Sequence, residues 1–564
     1  MSATDLTSRP SVLIIGAGPV GLTLANELAR RNVRVRIIDK AHSIREVSKA
    51  LILHVRTQEC LASVGVMPAI LAEARPLTQV LVHAYGKHIG SWNLDGVDGP
   101  YRHPVIIGQN RTQHCLLDAL ARRDVEVEWS TEATQVQTSP AGVSVTLKNS
   151  RGSEAIAPEF VVGCEGSRSL VRSAIGATFE GDRYEGEQFI QADCKLRWSL
   201  PSGRSYLFLT EVGYLMVIEM PGGIVRVFIS LPDGKESAGA GAQALSLGAT
   251  EDSTHAPTLA EVQSHLERLS GYPAELSDPI WLARYRTSHR YANTFGSDRA
   301  FIAGDSAHVH VPIGGQGMNT GIQDAFNLGW KLAGVVHGTY RAEILNSYSD
   351  ERQRVAVSLI RGTDFAYRGI LHPSELKQRL VRTFGPFVIR TETAQDFMRS
   401  TLEEIRIAYD ETPLNHSAGS AGPVPGHRMP AATLVDGASL TTITAHDLAT
   451  QGEWLVFAFL AGGWTNHAAA LIESMAAGLP RDVASVHLVI RGRQVGTSTM
   501  SSFGVLLDPL GEMHDRFHAS SPCVVVVRPD QVVAYRGPLD RTDAVSSYFA
   551  GILASDQLAG NATA

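Results

Sequence analysis

Apolar positions recur along this chain in two registers, and the changes of register mark its organisation. Near the start, "SVLIIGAGPVGLTLANELARRNVRVRIIDK" carries a β-branched run from Val12 to Ile15 and then a glycine turn. Apolar residues at helical spacing follow (Val20, Leu24, Leu28), and a second run, "VRVRIID", ends at Asp39. The pattern predicts a strand–helix–strand unit with parallel strands. Between residues 50 and 150 helical and strand patterns alternate, as in "RTQHCLLDALARR" and "VEVEW". "EFVVGCEGSRSLVRSAIG" predicts one more strand over 160–162, a glycine turn and a helix. From about 186 to 285 alternation at period two takes over, as in "YLMVIEM" and "IVRVFISL". It predicts an antiparallel sheet with one solvated face. Residues 237–258 read as a mobile insertion on that sheet.

The stretch "FIAGDSAHVHVPIGGQGMNTG", 301–321, ends a strand and leads into the helical run "GIQDAFNLGWKLAGVV", with further helices to about 405. Residues 416–430, rich in Gly, Pro and Ser, mark a domain boundary. Beyond them "EWLVFAFL", "VASVHLVI" and "CVVVVRPDQVVAYRG" predict the strands of a small α/β domain.

Composition narrows the class. A chain of 564 residues exceeds what one core usually supports, so two or three domains are expected. The net charge of -7 argues against a nucleic-acid partner. The five cysteines, at 60, 115, 164, 194 and 523, form no C-x-x-C, which points to a reducing compartment without a disulfide framework or zinc site. The N-terminus lacks a hydrophobic core segment, and the longest apolar run, "WLVFAFLAGGW", is too short to span a bilayer. A cytoplasmic protein with no membrane partner is expected.

The glycine turn carries chemistry. Gly16-x-Gly18-x-x-Gly21 lies between a strand and a helix, and an acid, Asp39, closes the next strand. In that setting Gly16 makes the tight turn, Gly18 admits a pyrophosphate, and Gly21 lets helix and strand pack closely. The helix N-terminus offers its unpaired N–H groups to the phosphates, and Asp39 accepts from an adenosine ribose. Gly239-x-Gly241-x-x-Ala244 nearly repeats the pattern but has no apolar strand before it and no acidic strand end after it. It is rejected as a second dinucleotide site. His54, His308 and His310 have neither H-x-x-x-H spacing nor paired carboxylates, so no metal is expected.

Three segments, "IIGAGPVGLTLANELARRNVRVRIIDK", "FVVGCEGSRSLVRSAIG" and "AFIAGDSAHVHVPIGGQGMNTGIQDAFNLGWKLAG", occur in the order and spacing of the single-component FAD-dependent aromatic hydroxylases. Over residues 10 to 410 the chain resembles the phenol hydroxylase and polyketide hydroxylase branch of that family. The resemblance implies an α/β fold. A Rossmann-type FAD-binding domain (1–185 and 286–410) would carry an inserted antiparallel-sheet substrate domain (186–285). A C-terminal thioredoxin-like domain (425–558) would follow, without C-x-x-C: the position of the reactive pair reads "LAGGWTNH". "CVVVVRPDQVVAYRG" matches that domain's terminal hairpin, turning at Asp530-Gln531.

The resemblance also implies FAD as cofactor, NADPH or NADH as reductant, and oxygen transfer from a flavin C4a-hydroperoxide to a phenolic or polycyclic aromatic substrate. Asp305 would bind a ribityl hydroxyl, Gly315 would contact FAD, and the backbone of Gly317, Met318 and Asn319 would face the flavin N1/O2 edge. Pro312 would lie beside the ring on the substrate face, its carbonyl available to a phenol. Gly16, Gly18, Pro19, Val20, Gly21, Asp39, Lys40, Lys49 and Gln109 complete the expected FAD contacts. Two departures from the family pattern stand out: Glu165-Gly166 replaces Asp-Gly, and Lys49 replaces an arginine. Arg168 and Arg172 are candidate anion partners, and Tyr206, Tyr214 and Arg226 are candidate polar handles for substrate. Baeyer–Villiger insertion or epoxidation on a natural-product scaffold is the alternative activity, and a flavin-free binding protein of the same fold is the remaining one. The C-terminal domain suggests a homodimer.

Overall fold

The computed structural model describes residues 10–139, 142–181, 187–232, 256–286, 288–311, 313–371, 374–409, 412, 414–417, 422–460, 466–492 and 503–555. The insertion expected at 237–258 and the "GGWTN" of the thioredoxin-like position lie almost wholly outside them.

The β-branched run predicted first is a strand, Val12–Ile15, buried on both faces. It pairs in parallel with Phe160–Gly163 on one side and Val35–Ile38 on the other. Val127–Glu128 extends the sheet at one edge, Ala300–Ile302 and Gly296–Ser297 at the other. Parallel strands need crossover connections that cover both faces, which is why these strands read as apolar runs rather than alternations. The register sets Ile15 opposite Gly163 and Gly163 opposite Ile302. Three chain segments far apart in sequence therefore turn at the same edge.

The second sheet has seven strands and reaches beyond the expected 186–285 segment. Glu187–Trp198 lies between Ala274–Tyr285 and Val225–Pro232, followed by Gly213–Glu219 and Ser205–Thr210. Gln79–Ala84 then joins Ser205–Thr210 in parallel, and Lys87–Asn93 closes the edge. The short apolar runs of residues 79–93 carried no signal of which sheet they would join; a parallel partner 125 positions away decides it (Val80 opposite Ser205). Period-two patterning separates the two faces. Val225, Val227 and Ile229 pack under the Leu259–Ser270 helix with Leu215 and Val217, while Arg226 and Phe228 turn to the other side with Tyr214 and Met216.

The C-terminal domain is an eight-stranded mixed sheet. Trp454–Leu460 and Ala484–Arg491 run parallel at its centre, and Cys523–Val527 and Val533–Pro538 form the expected hairpin. Its turn is not solvated. Asp530 and Gln531 are 2% and 1% exposed because the hairpin plugs into the first domain. Arg528 donates to Glu351 (2.8 Å) and to Asp530 (2.9 Å), and Lys331 donates to Glu351 at 2.9 Å. Arg56 donates to the Asp530 carbonyl (2.6 Å) and the Gln531 side chain (2.7 Å). Burial alone would raise the Glu351 pKa, but Arg528 and Lys331 hold it well below the usual carboxylate range. A charge pair without water depends on every partner being present. Arg528→Met leaves Glu351 and Asp530 buried without their strongest donor. It should lower unfolding stability by about 3–5 kcal/mol in a denaturant titration.

Candidate active site

The shared sheet edge brings together Gly16, Glu165 and Asp305. Gly16 adopts φ +108°, and a Cβ there would overlap the Cys164 carbonyl, so this turn accepts only glycine. Gly18 is different: a Cβ on it would meet nothing within 4 Å, which leaves its backbone open to an approaching group. Pro19 opens the Pro19–Ala29 helix, where its missing N–H costs nothing. The Val20 side chain packs inward, in the way of any Cβ on Gly304 (2.8 Å) or Gly321 (2.7 Å). It ties the glycine turn to the 301–321 segment. Asp39 stands at the end of the second strand, its oxygens accepting from Ala17 N and Ala41 N, both at 2.8 Å. An ionised carboxylate accepts about four hydrogen bonds, so capacity for a ribose hydroxyl remains. Lys40 beside it is exposed.

Asp305 sits in the short turn Gly304–Ser306, and no hydrogen bond reaches its carboxylate among the described residues. Burial raises its pKa, while the charges of His308 and Lys49 pull it down. Lys49 thus lies within electrostatic reach of Asp305. Its loop is clamped from two sides: Gln109 Oε1 accepts from Ala50 N (3.2 Å), and Arg226 donates to the Lys49 carbonyl (3.0 Å). Gln109 accordingly braces the loop. Arg226 itself is buried and forms a bidentate pair with Asp193, at 2.8 and 2.7 Å.

The Gln316–Val336 helix begins with Gly315 at φ +71°, and no side chain among the described residues caps its first N–H groups. Asn319 is fully buried, and its side chain is occupied: it donates to Ile52 O and Gly315 O (both 2.8 Å) and accepts from His54 N (2.9 Å). Its side chain is therefore spent on the chain itself. Met318 is partly buried against the core. Gly317 lies beside His310, whose Nδ1 bonds the Val311 carbonyl at 2.8 Å. Burial pushes the His310 pKa down to about 4, and its Nε2 has no partner among the described residues. Pro312 lies outside the described residues.

Sequence reasoning missed the supports of this helix. The His54 ring donates to the Gly314 carbonyl at 2.7 Å and has Glu403 3.6 Å from its other nitrogen. Burial opposes its charge, yet Glu403, Glu404 and the Gly314 carbonyl raise its pKa above the usual value. Asp324 accepts from His308 (2.7 Å), Gly304 N (3.0 Å) and Arg352 (2.7 Å), pinning the Asp305 turn to the helix. The histidines considered for a metal are thus engaged with carboxylates and carbonyls. An acid about two turns along a helix, Asp324, gave no sign in the sequence that it faced His308.

Glu165 caps the Leu170–Ala174 helix. Its carboxylate accepts from the Ser169 hydroxyl, from Leu170 N (3.1 Å) and from Val171 N (3.3 Å). Arg172 donates to Ser306 O (2.9 Å) and Ser167 O (2.7 Å) and stacks on Phe179, while Arg168 is exposed. Glu165 and Arg172 tether one turn to another, leaving Arg168 as the solvent-facing cation.

Facing the Val311 end of this segment is an aromatic wall from the seven-stranded sheet. Phe189, Tyr214 and Phe228 cluster with Val311, joined by Leu207, Met216 and Tyr285. The rings of Phe189 and Phe228 are 5.6 Å apart, and Tyr214 is 5.8 Å from Phe228. The Tyr285 hydroxyl is 3.1 Å from the Gln191 side-chain amide. Tyr206 falls on the opposite face, donating to Pro201 O at 2.8 Å and packing on Trp198, because it is one residue out of phase with Leu207. It is not a substrate handle.

These features fit FAD. A backbone open at Gly18, a half-buried carboxylate that accepts no hydrogen bond among the described residues and a helix start without a side-chain cap lie beyond the strand ends, the usual place for a dinucleotide. Comparison with known proteins gives the class. The family described as "FAD binding domain" matches residues 9–363, and "Phenol hydroxylase, C-terminal dimerisation domain" matches 509–557. The chain is 33% identical over 467 residues to 6-methylpretetramide 4-monooxygenase of Streptomyces rimosus, covering 80% of each. It is 30% identical over 448 residues to pentachlorophenol 4-monooxygenase of Sphingobium chlorophenolicum, covering 77% of this chain and 78% of that one. The crystal structure of CabE, an aromatic hydroxylase from angucycline biosynthesis, superposes with a TM-score of 0.71 at 26% identity, over 94% of this chain and 96% of that one. The chain belongs to the family of FAD-dependent aromatic monooxygenases.

Two measurements check the site. Asp305→Ala should weaken FAD binding about tenfold or more, the worth of a charge-assisted hydrogen bond, read by flavin fluorescence titration. Glu404 accepts from Thr320 and Gln323 on the Gln316–Val336 helix, and burial pushes its pKa up to about 7. A carboxyl whose pKa rises on folding adds stability below its unfolded pKa and loses it as pH climbs through the folded value. Glu404→Gln should therefore match the parent in melting temperature near pH 4.5 and exceed it increasingly up to pH 8.

Proposed function

We propose that this enzyme hydroxylates an electron-rich ring of a polycyclic phenol. The carrying observation is the wall of Phe189, Tyr214, Phe228, Met216 and Leu207, which sets several apolar and aromatic side chains beside Val311 at the crevice. A wall spread over four strands suits a fused-ring substrate better than a single ring. The names of the tetracycline-type and pentachlorophenol relatives support a phenolic substrate.

Bound FAD, reduced by NADH or NADPH, supplies the activation of O2; one oxygen atom goes to the ring and the other leaves as water. The rest falls to this chain. Gly16, Gly18, Gly21 and the start of the Pro19–Ala29 helix hold the pyrophosphate, and Asp39 takes a ribose hydroxyl. Asp305 accepts from a ribityl hydroxyl, and Lys49 balances its charge. The N–H groups of Gly317, Met318 and Asn319 favour negative charge at the flavin edge. A phenolic hydroxyl would donate a hydrogen bond to the Pro312 carbonyl, which would make the ring more electron-rich, and the aromatic wall excludes water. The chain acts as a homodimer, in keeping with its match to a dimerisation domain, and works in a reducing cytoplasm, in keeping with five free cysteines.

The test is NAD(P)H oxidation by the FAD-loaded protein over a panel of monocyclic and fused-ring phenols under 18O2. Fused-ring phenols should stimulate oxidation and yield a product heavier by one labelled oxygen; stimulation by monocyclic phenols alone would reject the substrate class. Phe228→Ala should raise KM for the fused-ring substrate about tenfold, by loss of a buried aromatic contact, and leave flavin content unchanged.

A further inference from the structure

Arg226 lies on the face of the seven-stranded sheet that bears the aromatic wall, and every N–H of its guanidinium is spent within the chain. Nε and Nη2 donate to Asp193 at 2.8 and 2.7 Å. The other Nη2 proton goes to the Ser48 carbonyl, and Nη1 gives one proton to the Lys49 carbonyl at 3.0 Å. The remaining Nη1 proton meets the side-chain amide of Gln191, 3.2 Å away. A guanidinium only donates, so the amide turns its oxygen to Arg226. Its nitrogen then faces Tyr285 and donates to the phenolic oxygen at 3.1 Å.

That arrangement makes Tyr285 an oriented donor. Its oxygen accepts from Gln191, so its own proton points elsewhere, and no acceptor for it stands among the described residues. Burial raises the Tyr285 pKa well above that of a free phenol, against the pull of Arg226. The hydroxyl keeps its proton and does not serve as a base. The half-buried ring is fixed as well: it stacks on Phe189, 5.9 Å between centroids and 16° from parallel, and packs into the wall with Phe228 and Val311. The hydroxyl sits where the apolar wall meets the cluster of Gln191, Asp193 and Arg226.

We propose that Tyr285 determines specificity: its hydroxyl donates to a carbonyl oxygen of the fused-ring substrate, and Gln191 fixes its direction. A single fixed donor at the margin of an apolar wall favours a ligand with a matching acceptor and rejects the analogue that leaves the donor unpaired. A carbonyl accepts in the plane of its ring, which suits fused rings lying flat along the wall. The hydrogen bond draws electron density from the ring that bears the carbonyl, so hydroxylation falls on another ring of the same scaffold.

The inference rests on the fused-ring phenol reading above, and the experiment separates the two. Two probes are titrated into the FAD-loaded full chain, a hydroxytetralone and the tetrahydronaphthol of the same skeleton without the carbonyl. Binding is read from the change in flavin absorption. The parent should bind the hydroxytetralone about five- to tenfold more tightly, the worth of one neutral hydrogen bond. Tyr285→Phe keeps the stacked ring and should erase that preference, with the tetrahydronaphthol Kd and the ligand-free flavin spectrum unchanged. Gln191→Glu presents only acceptors; it should draw the Tyr285 proton inward and erase the preference with the hydroxyl still in place. A preference that survives Tyr285→Phe, or equal weakening of both probes, overturns the specificity role; one that survives Gln191→Glu overturns the orienting role of Gln191. A ligand-free flavin spectrum altered in Tyr285→Phe makes the cofactor the partner of the hydroxyl and overturns the substrate assignment. A parent that hydroxylates fused-ring phenols yet binds both probes equally overturns this inference alone. A parent that binds neither probe and responds only to monocyclic phenols overturns the fused-ring reading and this inference with it.

Discussion

The register of three parallel strands governs this molecule. Ile15, Gly163 and Ile302 lie side by side at the end of one sheet, so the turns that follow them share one edge. Each turn brings a different chemical group: bare backbone at Gly18, a helix-capping carboxylate at Glu165, and at Asp305 a carboxylate that accepts no hydrogen bond among the described residues. A one-residue slip in any pairing would turn its side chains to the wrong face and separate the groups. The binding crevice is a consequence of strand pairing before it is a matter of any single residue.

A second layer of contacts makes that edge rigid. Asp324 gathers Gly304, His308 and Arg352, while Asn319 and His54 fix the loop in front of the helix. The same helix is buried from the other side, where Lys331 meets Glu351 and the plug of the C-terminal hairpin. The two domains therefore share a helix. The C-terminal domain, which carries no C-x-x-C, does mechanical work by holding the Gln316–Val336 helix.

Buried charge is concentrated in these supports and is sparse on the wall that faces the crevice. Phe189, Phe228, Met216 and Leu207 present hydrocarbon, and Arg226 on the same face is spent on Asp193 and on the carbonyls of the Lys49 loop. This division suits an enzyme whose cofactor carries the reactivity: the protein's charges orient, and its apolar surface keeps water out.

Local pattern was enough for the strand–glycine–helix unit, for Asp39 at a strand end, for the alternating sheet and for the Asp530-Gln531 turn. Each depends on neighbours within a few residues: glycine where φ is positive, period two where one face is buried, an acid that closes a strand. The Gly239 motif is set aside on sequence alone, for want of an apolar strand before it, and it lies outside the described residues. What the sequence could not carry were distances between segments. That 79–93 joins the second sheet, that Tyr206 faces away while Tyr214 faces in, that the hairpin turn is a plug, and that Asp324 meets His308 all follow from pairings across long separations. Such pairings are settled by which apolar faces must be covered and which buried charges must find a partner, and only the folded chain brings those groups within reach.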